Sequence, residues 1–322
     1  MTQPNPLAEE PIMKENTENE QTSVITATQR GPAVLISAGV HGDEYEPMVA
    51  AAELAATLPE MLTHGQVTIV KVVNPDAYGH GTRQGSDGLD LARICPGDLG
   101  GSVSEAYAAR ISSMIKQADY YVDMHTGGLT YEIHPLAGYM LHPNEAVLDV
   151  QRQMARCFDV PVIWGTDCRP QGRTLSVARD ANVPAVYLEF GGGAGFRREV
   201  VDTYVAGVIN MLRFLGMITG EAIKSSESYW LEDHRPDSGY LQGKMPSPAE
   251  GILMTQVALG EMVSAGQCFG RIFDPVSGVS HSVYAELGGM VFLKRAIVKV
   301  QSGDALGGIL PITQKGKHTI YE

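Results

Sequence analysis

The feature that most restricts the architecture of this 322-residue chain is a repeated order of β-branched runs and Ala/Leu-rich stretches between about Thr22 and Ile223. Ala33–Val40 is the sharpest case: an apolar run that reads as a buried strand, broken at Gly39 and followed by His41-Gly42-Asp43-Glu44. Pro47 suits a first helical turn, where its missing N–H would have no partner. A helix over Met48–Leu62 and a strand over Gln66–Val73 follow. Further on, Ser102-Val103-Ser104-Glu105 has the capping-box pattern and opens a helix to about Gln117. Strands over Asp119–Met124, Val160–Trp164 and Pro184–Phe190 alternate with helices over Asn144–Phe158, Thr174–Ala181 and Phe196–Ile218. Such alternation predicts an α/β fold, a mainly parallel mixed sheet with helices on both faces. In sheets of this kind ligands bind outside the carboxyl ends of the strands.

The two ends of the chain read differently. Residues 1–21 are rich in Pro, Asn and Glu, with too little apolar surface to offset ordering, and are expected to be a flexible tail. After about Lys224, short strands at Gly251–Val257, Cys268–Ile272, Ser280–Tyr284, Gly289–Leu293 and Ile297–Val300 point to a small C-terminal all-β sandwich domain. Leu259–Gln267 resembles a hairpin of biotinyl- or lipoyl-type sandwiches, without the exposed lysine such carriers modify. The expected division is therefore a tail over 1–21, a main domain over 22–223 and a β-rich domain over 224–322.

A net charge of −13 leaves no basic footprint for nucleic acid or an anionic membrane. No apolar run is long enough to cross a bilayer, and no targeting pattern is evident, so the cytoplasm is the expected location. The four cysteines (Cys95, Cys157, Cys168, Cys268) form no C-x-x-C pair and read as reduced thiols. Cys95 has no local base beside it and is expected to be a buried thiol.

His41, His125 and Glu189 each fall at or just past the end of an expected strand. Imidazole and carboxylate are ligand types that Zn²⁺ uses in open, catalytic sites, and His41 and Glu44 share one strand-to-helix turn. Alone, a strand-end histidine such as His125 is better explained as a satisfied core or surface imidazole; with His41 and Glu44 it reads as a third ligand. Asp123 lies two residues earlier on the same strand face, near His125 or another ligand, where a carboxylate fixes a ring tautomer. Glu189 ends an apolar strand and is followed by three glycines that let backbone approach a ligand closely. A carboxylate there can serve as general base and then as acid; the competing reading is a salt-bridged structural residue. The long Gly/Asp-rich loop over 77–101 carries Arg83, Asp87, Asp90 and Arg93 and is expected to be functional. His134 and His142 follow the His125 loop and are candidates to line a pocket. Arg169 and Arg173 add positive potential nearby or are simply solvated.

The ordered set His41-Gly42-Asp43-Glu44, Thr82-Arg83, Asp90-Leu91-Ala92-Arg93, Asp123-Met124-His125-Thr126-Gly127-Gly128 and Leu188-Glu189-Phe190-Gly191-Gly192-Gly193 resembles the succinylglutamate desuccinylase/aspartoacylase family, relatives of the zinc carboxypeptidases. The resemblance spans about Val34 to Gly193, with a weaker echo in the C-terminal region. It implies one Zn²⁺ per chain on His41, Glu44 and His125, with Glu189 as general base and acid. It implies that Arg83 polarises the scissile carbonyl and that Arg93 holds the substrate carboxylate, a task suited to the forked guanidinium. Arg179, ten residues before Glu189, has the spacing of a further carboxylate-binding arginine. The chain departs from the family at Ala92, where an asparagine is usual. Some members add a tyrosine from the C-terminal domain; Tyr240 and Tyr284 lie in that region.

These observations point to a zinc-dependent hydrolase that cleaves the amide bond of an N-acyl amino acid or a related small carboxylate, and the family resemblance suggests a homo-oligomer. The alternatives are a carboxypeptidase- or esterase-like hydrolase on the same site, or a non-catalytic zinc-dependent small-molecule binding protein.

Overall fold

A computed structural model of the chain describes residues 18–19, 21–193, 195–224, 228–241 and 244–321. The tail expected over 1–21 lies outside the described residues, except for Gln21 and the short strand β1 (Glu18–Asn19).

The first half supplies β2 (Thr22–Thr26), β3 (Gln29–Ser37), α1 (Tyr45–Met61), β4 (His64–Val70), α2 (Pro75–His80), α3 (Val103–Ile115) and β5 (Tyr120–His125). Next come β6 (Tyr131–Met140), α4 (Glu145–Arg156), β7 (Val162–Thr166), α5 (Thr174–Asp180), β8 (Ala185–Gly192), α6 (Arg198–Phe214) and β9 (Tyr229–Asp233). The C-terminal region adds β10 (Gly251–Thr255), β11 (Met262–Val263), β12 (Cys268–Phe273) and β13 (Ser280–Tyr284). It ends with β14 (Gly289–Arg295), β15 (Lys299–Val300), β16 (Gly307–Leu310) and β17 (His318–Tyr321).

The main sheet runs β1-β2-β4-β3-β5-β8-β6-β7-β9-β17. It contains two parallel blocks. β4, β3, β5 and β8 run one way; β6, β7, β9 and β17 run the other, joined by the antiparallel β6–β8 pair. Strands buried on both faces read as continuous apolar runs, and here both faces are covered. Ile36, Val122, Met124 and Leu188 pack with α1 and α6, whereas Leu35, Tyr121 and Ala185 pack with α3 and α5. The expected α/β class, with its mainly parallel mixed sheet, is the observed one.

Strand β6 escapes the sequence pattern because Pro135 interrupts it. Proline cannot donate to a ladder and sits at irregularities; the pairing with β8 shifts register between Ile133 and Leu136, which absorbs it.

The C-terminal strands divide between two sheets. β10, β12, β13 and β15 form a separate antiparallel sheet. β14 pairs with β6 and β17 with β9, so the main sheet continues across residue 224. Leu253, Phe269, Ile272, Val291 and Leu306 fill the core of this sandwich. Among the described residues, no helix is long and apolar enough to cross a membrane.

Candidate metal centre

Three adjacent parallel strands deliver the centre. β3 ends at Ser37, and Gly39, with φ +67°, turns the chain so that His41 and Glu44 lie before α1. A side chain at Gly39 would be strained in that left-handed conformation. β5 ends at His125, which pairs in register with Glu189 of β8. The carboxyl ends of one parallel block therefore bring together residues separated by more than 140 positions in the chain.

Glu44 sits between the two imidazoles. Its Oε1 is 2.7 Å from His41 Nδ1 and its Oε2 is 2.9 Å from His125 Nδ1. One ligand atom from each of His41, Glu44 and His125 lies within 4.8 Å of the others, and all three residues are buried. The outward ring nitrogens are tied to acids. His41 Nε2 lies 3.2 Å from Asp90 Oδ1 and His125 Nε2 3.1 Å from Asp123 Oδ2. Each carboxylate accepts from the ring N–H, leaving Nδ1 free to ligate, the usual support for a metal-binding histidine. Asp123 also accepts from Ser37 Oγ at 2.7 Å and Thr174 Oγ1 at 2.5 Å. Asp90 accepts from Arg83 Nε at 3.0 Å and from the Ala92 N–H at 3.0 Å. Two neutral nitrogens and one carboxylate, each oriented from behind, fit a divalent transition metal with an open coordination position.

Burial lowers the His125 imidazole, but Asp123 and Glu44 outweigh it and hold it well above its usual range, so a metal ion would displace a proton from it. Burial raises the Glu44 carboxyl, but His41 and His125 outweigh it and hold Glu44 well below the usual carboxylate range. Glu189 goes the other way. Burial pushes it up, His125 pulls it down and Glu44 pushes it up again, for a net value of about 8. Its Oε2 is buried without a hydrogen-bond partner among the described residues. A buried polar atom left unpaired carries a desolvation cost, which a ligand or water at this point would relieve.

The cleft in front of the centre holds about 870 Å³, including its open mouth. Arg83, Arg93 and Arg173 line it, and Leu136, Met140, Trp164 and Leu241 supply apolar lining. Arg83 Nη1 is 3.4 Å from His41 Nδ1 and 3.9 Å from Glu44 Oε1, beside the metal point. Arg93 donates to its neighbour's carbonyl, Ala92 O, at 2.7 Å, and its guanidinium lies 6.0 Å from the Tyr240 ring centroid.

Arg179 is a correction. It does not line the cleft. Its guanidinium donates to the backbone carbonyls of Cys168 and Pro170 and pairs with Asp180 at 2.7 Å. Arg173 occupies the cleft wall instead, and no carboxylate pairs with it among the described residues. Arg173 is the extended N-cap residue of α5, whereas Arg179 lies in its last turn. His134 and His142 do not line the cleft either; His142 Nε2 sits 3.1 Å from the Arg179 carbonyl. Tyr284 is exposed on β13, and the Cys95 thiol, buried outside the cleft, is pushed up to about 12 by its burial. The sequence reading missed Ser37 and Thr174 as supports of Asp123, and Tyr131 and Trp164 on the wall. Ser37 alone left a signal, as a polar residue inside an apolar strand.

Residues 30–215 match the succinylglutamate desuccinylase/aspartoacylase catalytic domain. The chain is 31% identical over 304 residues to an N-alpha-acetyl-L-2,4-diaminobutyric acid deacetylase from Halomonas elongata, covering 90% of this chain and 86% of the relative. It superimposes on a succinylglutamate desuccinylase/aspartoacylase from Rhodobacter sphaeroides with a TM-score of 0.81 at 26% identity, over 91% of this chain and 89% of the other. The product-bound ectoine utilization protein EutE (DoeB) from Ruegeria pomeroyi gives 0.82 at 27% identity, over 89% and 87%.

Proposed function

Because the chain belongs to the succinylglutamate desuccinylase/aspartoacylase family, we propose that it is a zinc-dependent hydrolase that removes the acyl group from an N-acyl amino acid or a similar small carboxylate. The observation that carries this reading is the buried His41–Glu44–His125 cluster beside a carboxyl group, Glu189, whose Oε2 has no partner.

His41, Glu44 and His125 would hold the ion. Zinc there supplies Lewis acidity toward a carbonyl oxygen and lowers the pKa of water. The chain's own residues do the rest. Glu189, raised by burial toward neutral pH, takes a proton from the attacking water and returns it to the leaving nitrogen, as a general base and acid must. Arg83, held beside His41 by Asp90, donates to the acyl oxygen as charge develops on it. Arg93 and Arg173 reach the same cleft and bind the substrate carboxylate through their forked donors. The small Ala92 leaves room beside Arg93 where an asparagine amide would otherwise contact the substrate. The substrate named for the Halomonas relative, an N-acetylated diamino acid, belongs to the class proposed. The proposed enzyme acts in the cytoplasm as a homo-oligomer.

The test is metal analysis together with turnover of a panel containing N-acetyl-2,4-diaminobutyrate, N-acetylaspartate and N-succinylglutamate. The expected result is one zinc per chain, loss of turnover on chelation and return on adding zinc. Glu189→Gln should keep the metal and lose about 10²–10⁴-fold in kcat. Full turnover after complete removal of zinc, or an unchanged kcat in Glu189→Gln, would overturn the proposal.

A further inference from the structure

Tyr131, the first residue of β6, stands on the cleft wall with Arg83, His125 and Glu189. Its backbone is wedged in place. The Tyr131 N–H donates to Gly127 O at 3.0 Å, and a Cβ at Gly192, just past Glu189, would come within 2.4 Å of Tyr131 O. The loop after His125 and the glycine turn after Glu189 thus meet at this residue.

The C-terminal region holds Tyr131 from behind. Arg295, the last residue of β14, pairs with Tyr131 across the two strands. The Ala296 N–H donates to Thr130 O at 2.8 Å. The Arg295 guanidinium is fixed by three acceptors: Ile297 O at 3.1 Å, Ala305 O at 3.3 Å and Asp304 Oδ2 at 3.0 Å. It lies 5.9 Å from the Tyr131 ring centroid, within cation–π range. Burial raises the phenol above its ordinary value, although Arg295 and Arg83 pull it down. The group therefore keeps its proton at neutral pH and can donate it. A neutral donor is suited to an oxygen on which negative charge grows.

We infer that Tyr131 is a further catalytic residue, donating a hydrogen bond from its phenol to the acyl oxygen alongside Arg83, and that Arg295 is a positioning residue that aims it from the C-terminal β region. This rests on the proposed amide hydrolysis. It gives β14 a part in the site although no C-terminal ligand reaches the metal point among the described residues.

Tyr131→Phe keeps the ring and removes only the hydroxyl. With the N-acyl amino acid turned over best by the wild type, kcat should fall by about 10²-fold, with KM changed by less than about twofold, because uniform binding is not what is lost. Bound metal should be unchanged. Arg295→Ala should lose a similar factor in kcat, and the double variant should be little worse than either single one, since both changes act through one hydroxyl. Asp304→Asn tests the same link where Arg295→Ala fails to fold, and should lower kcat more weakly. A wild-type kcat in Tyr131→Phe, or a loss confined to KM, overturns the catalytic assignment. Losses that multiply in the double variant overturn the positioning role. A wild-type protein that hydrolyses none of the panel removes the underlying reading and this inference with it, whereas an active wild type with an unimpaired Tyr131→Phe removes the inference alone.

Discussion

His41 and His125 aim the same ring nitrogen at Glu44, but they are held in unlike ways. His125 is backed by Asp123, which is fully buried on β5 and satisfied by Ser37 from β3 and Thr174 from α5. Tyr204 of α6 adds a hydrogen bond to the His125 carbonyl at 2.5 Å. His41 is backed by Asp90, which sits in the loop between α2 and α3 and pairs there with a partly exposed Arg83. That loop is itself suspended. Ser86 donates from its N–H and hydroxyl to Asp76, at 2.5 and 3.1 Å, and Asp87 accepts from Ser104 N at 2.9 Å and Ser104 Oγ at 2.8 Å. One imidazole is thus oriented by the core and the other by a hydrogen-bonded loop. Orientation and stability are coupled at the first and separable at the second.

The largest expected difference is in folding stability. Asp123→Ala leaves two hydroxyls and a buried imidazole without their acceptor and should cost about 3–5 kcal/mol, the scale for breaking a buried ionic partner. Asp90→Ala, at a loop site whose carboxylate keeps some solvent contact, should cost on the order of 1 kcal/mol. Denaturant titration of the metal-free protein distinguishes them, and equal losses would break the comparison.

Metal retention should respond alike on both sides. Asp123→Asn and Asp90→Asn each keep the shape but lose the carboxylate behind a ligand, and each should weaken zinc about 10–100-fold, read by competition with a chromophoric chelator. A loss on the Asp123 side alone would show that the loop does not orient His41.

A smaller effect isolates the loop's suspension. Burial raises the Asp87 carboxyl, but hydrogen bonds led by the Ser104 N–H outweigh it and bring it down to about 2. A depressed carboxyl stabilises the fold above its ordinary value near ~3.9 and loses that contribution as pH falls through about 2. Asp87→Asn should therefore cost about 0.5–1 kcal/mol at pH 7, discounted for its solvent contact, and its gap from the wild type should narrow below about pH 4 and close below about 2. A gap that widens on acidification would contradict this.

A further difference concerns Arg173, which caps α5, and Arg179 in its last turn. Arg179→Ala should leave KM for a carboxylate substrate within about twofold, because its guanidinium is spent on backbone carbonyls, whereas Arg173→Ala should raise KM about tenfold, the scale of a lost charged hydrogen bond. Steady-state kinetics on both variants decide it, and the reverse order would restore the spacing argument.

Much of this protein is legible in its sequence. The α/β order follows from local patterns, because apolar periodicity and caps act over a few residues, and each element that bears the site ends within a few positions of where the pattern placed it. His41, His125 and Glu189 were readable as a group since each falls at or just past a strand end, with Glu44 on the turn after His41, and parallel topology gathers such ends. What the pattern could not decide is everything set by contacts between distant elements. Pro135 hid β6, whose register shift places Tyr131 beside the glycine turns. The extended turn that caps α5 chose Arg173 over Arg179, whose guanidinium is spent on backbone carbonyls. The pairing of Arg295 with Tyr131 spans 164 positions, from β6 to β14. Local chemistry determines which side chains are able to serve; only the packed sheet, by setting register and facing, decides which of them meet.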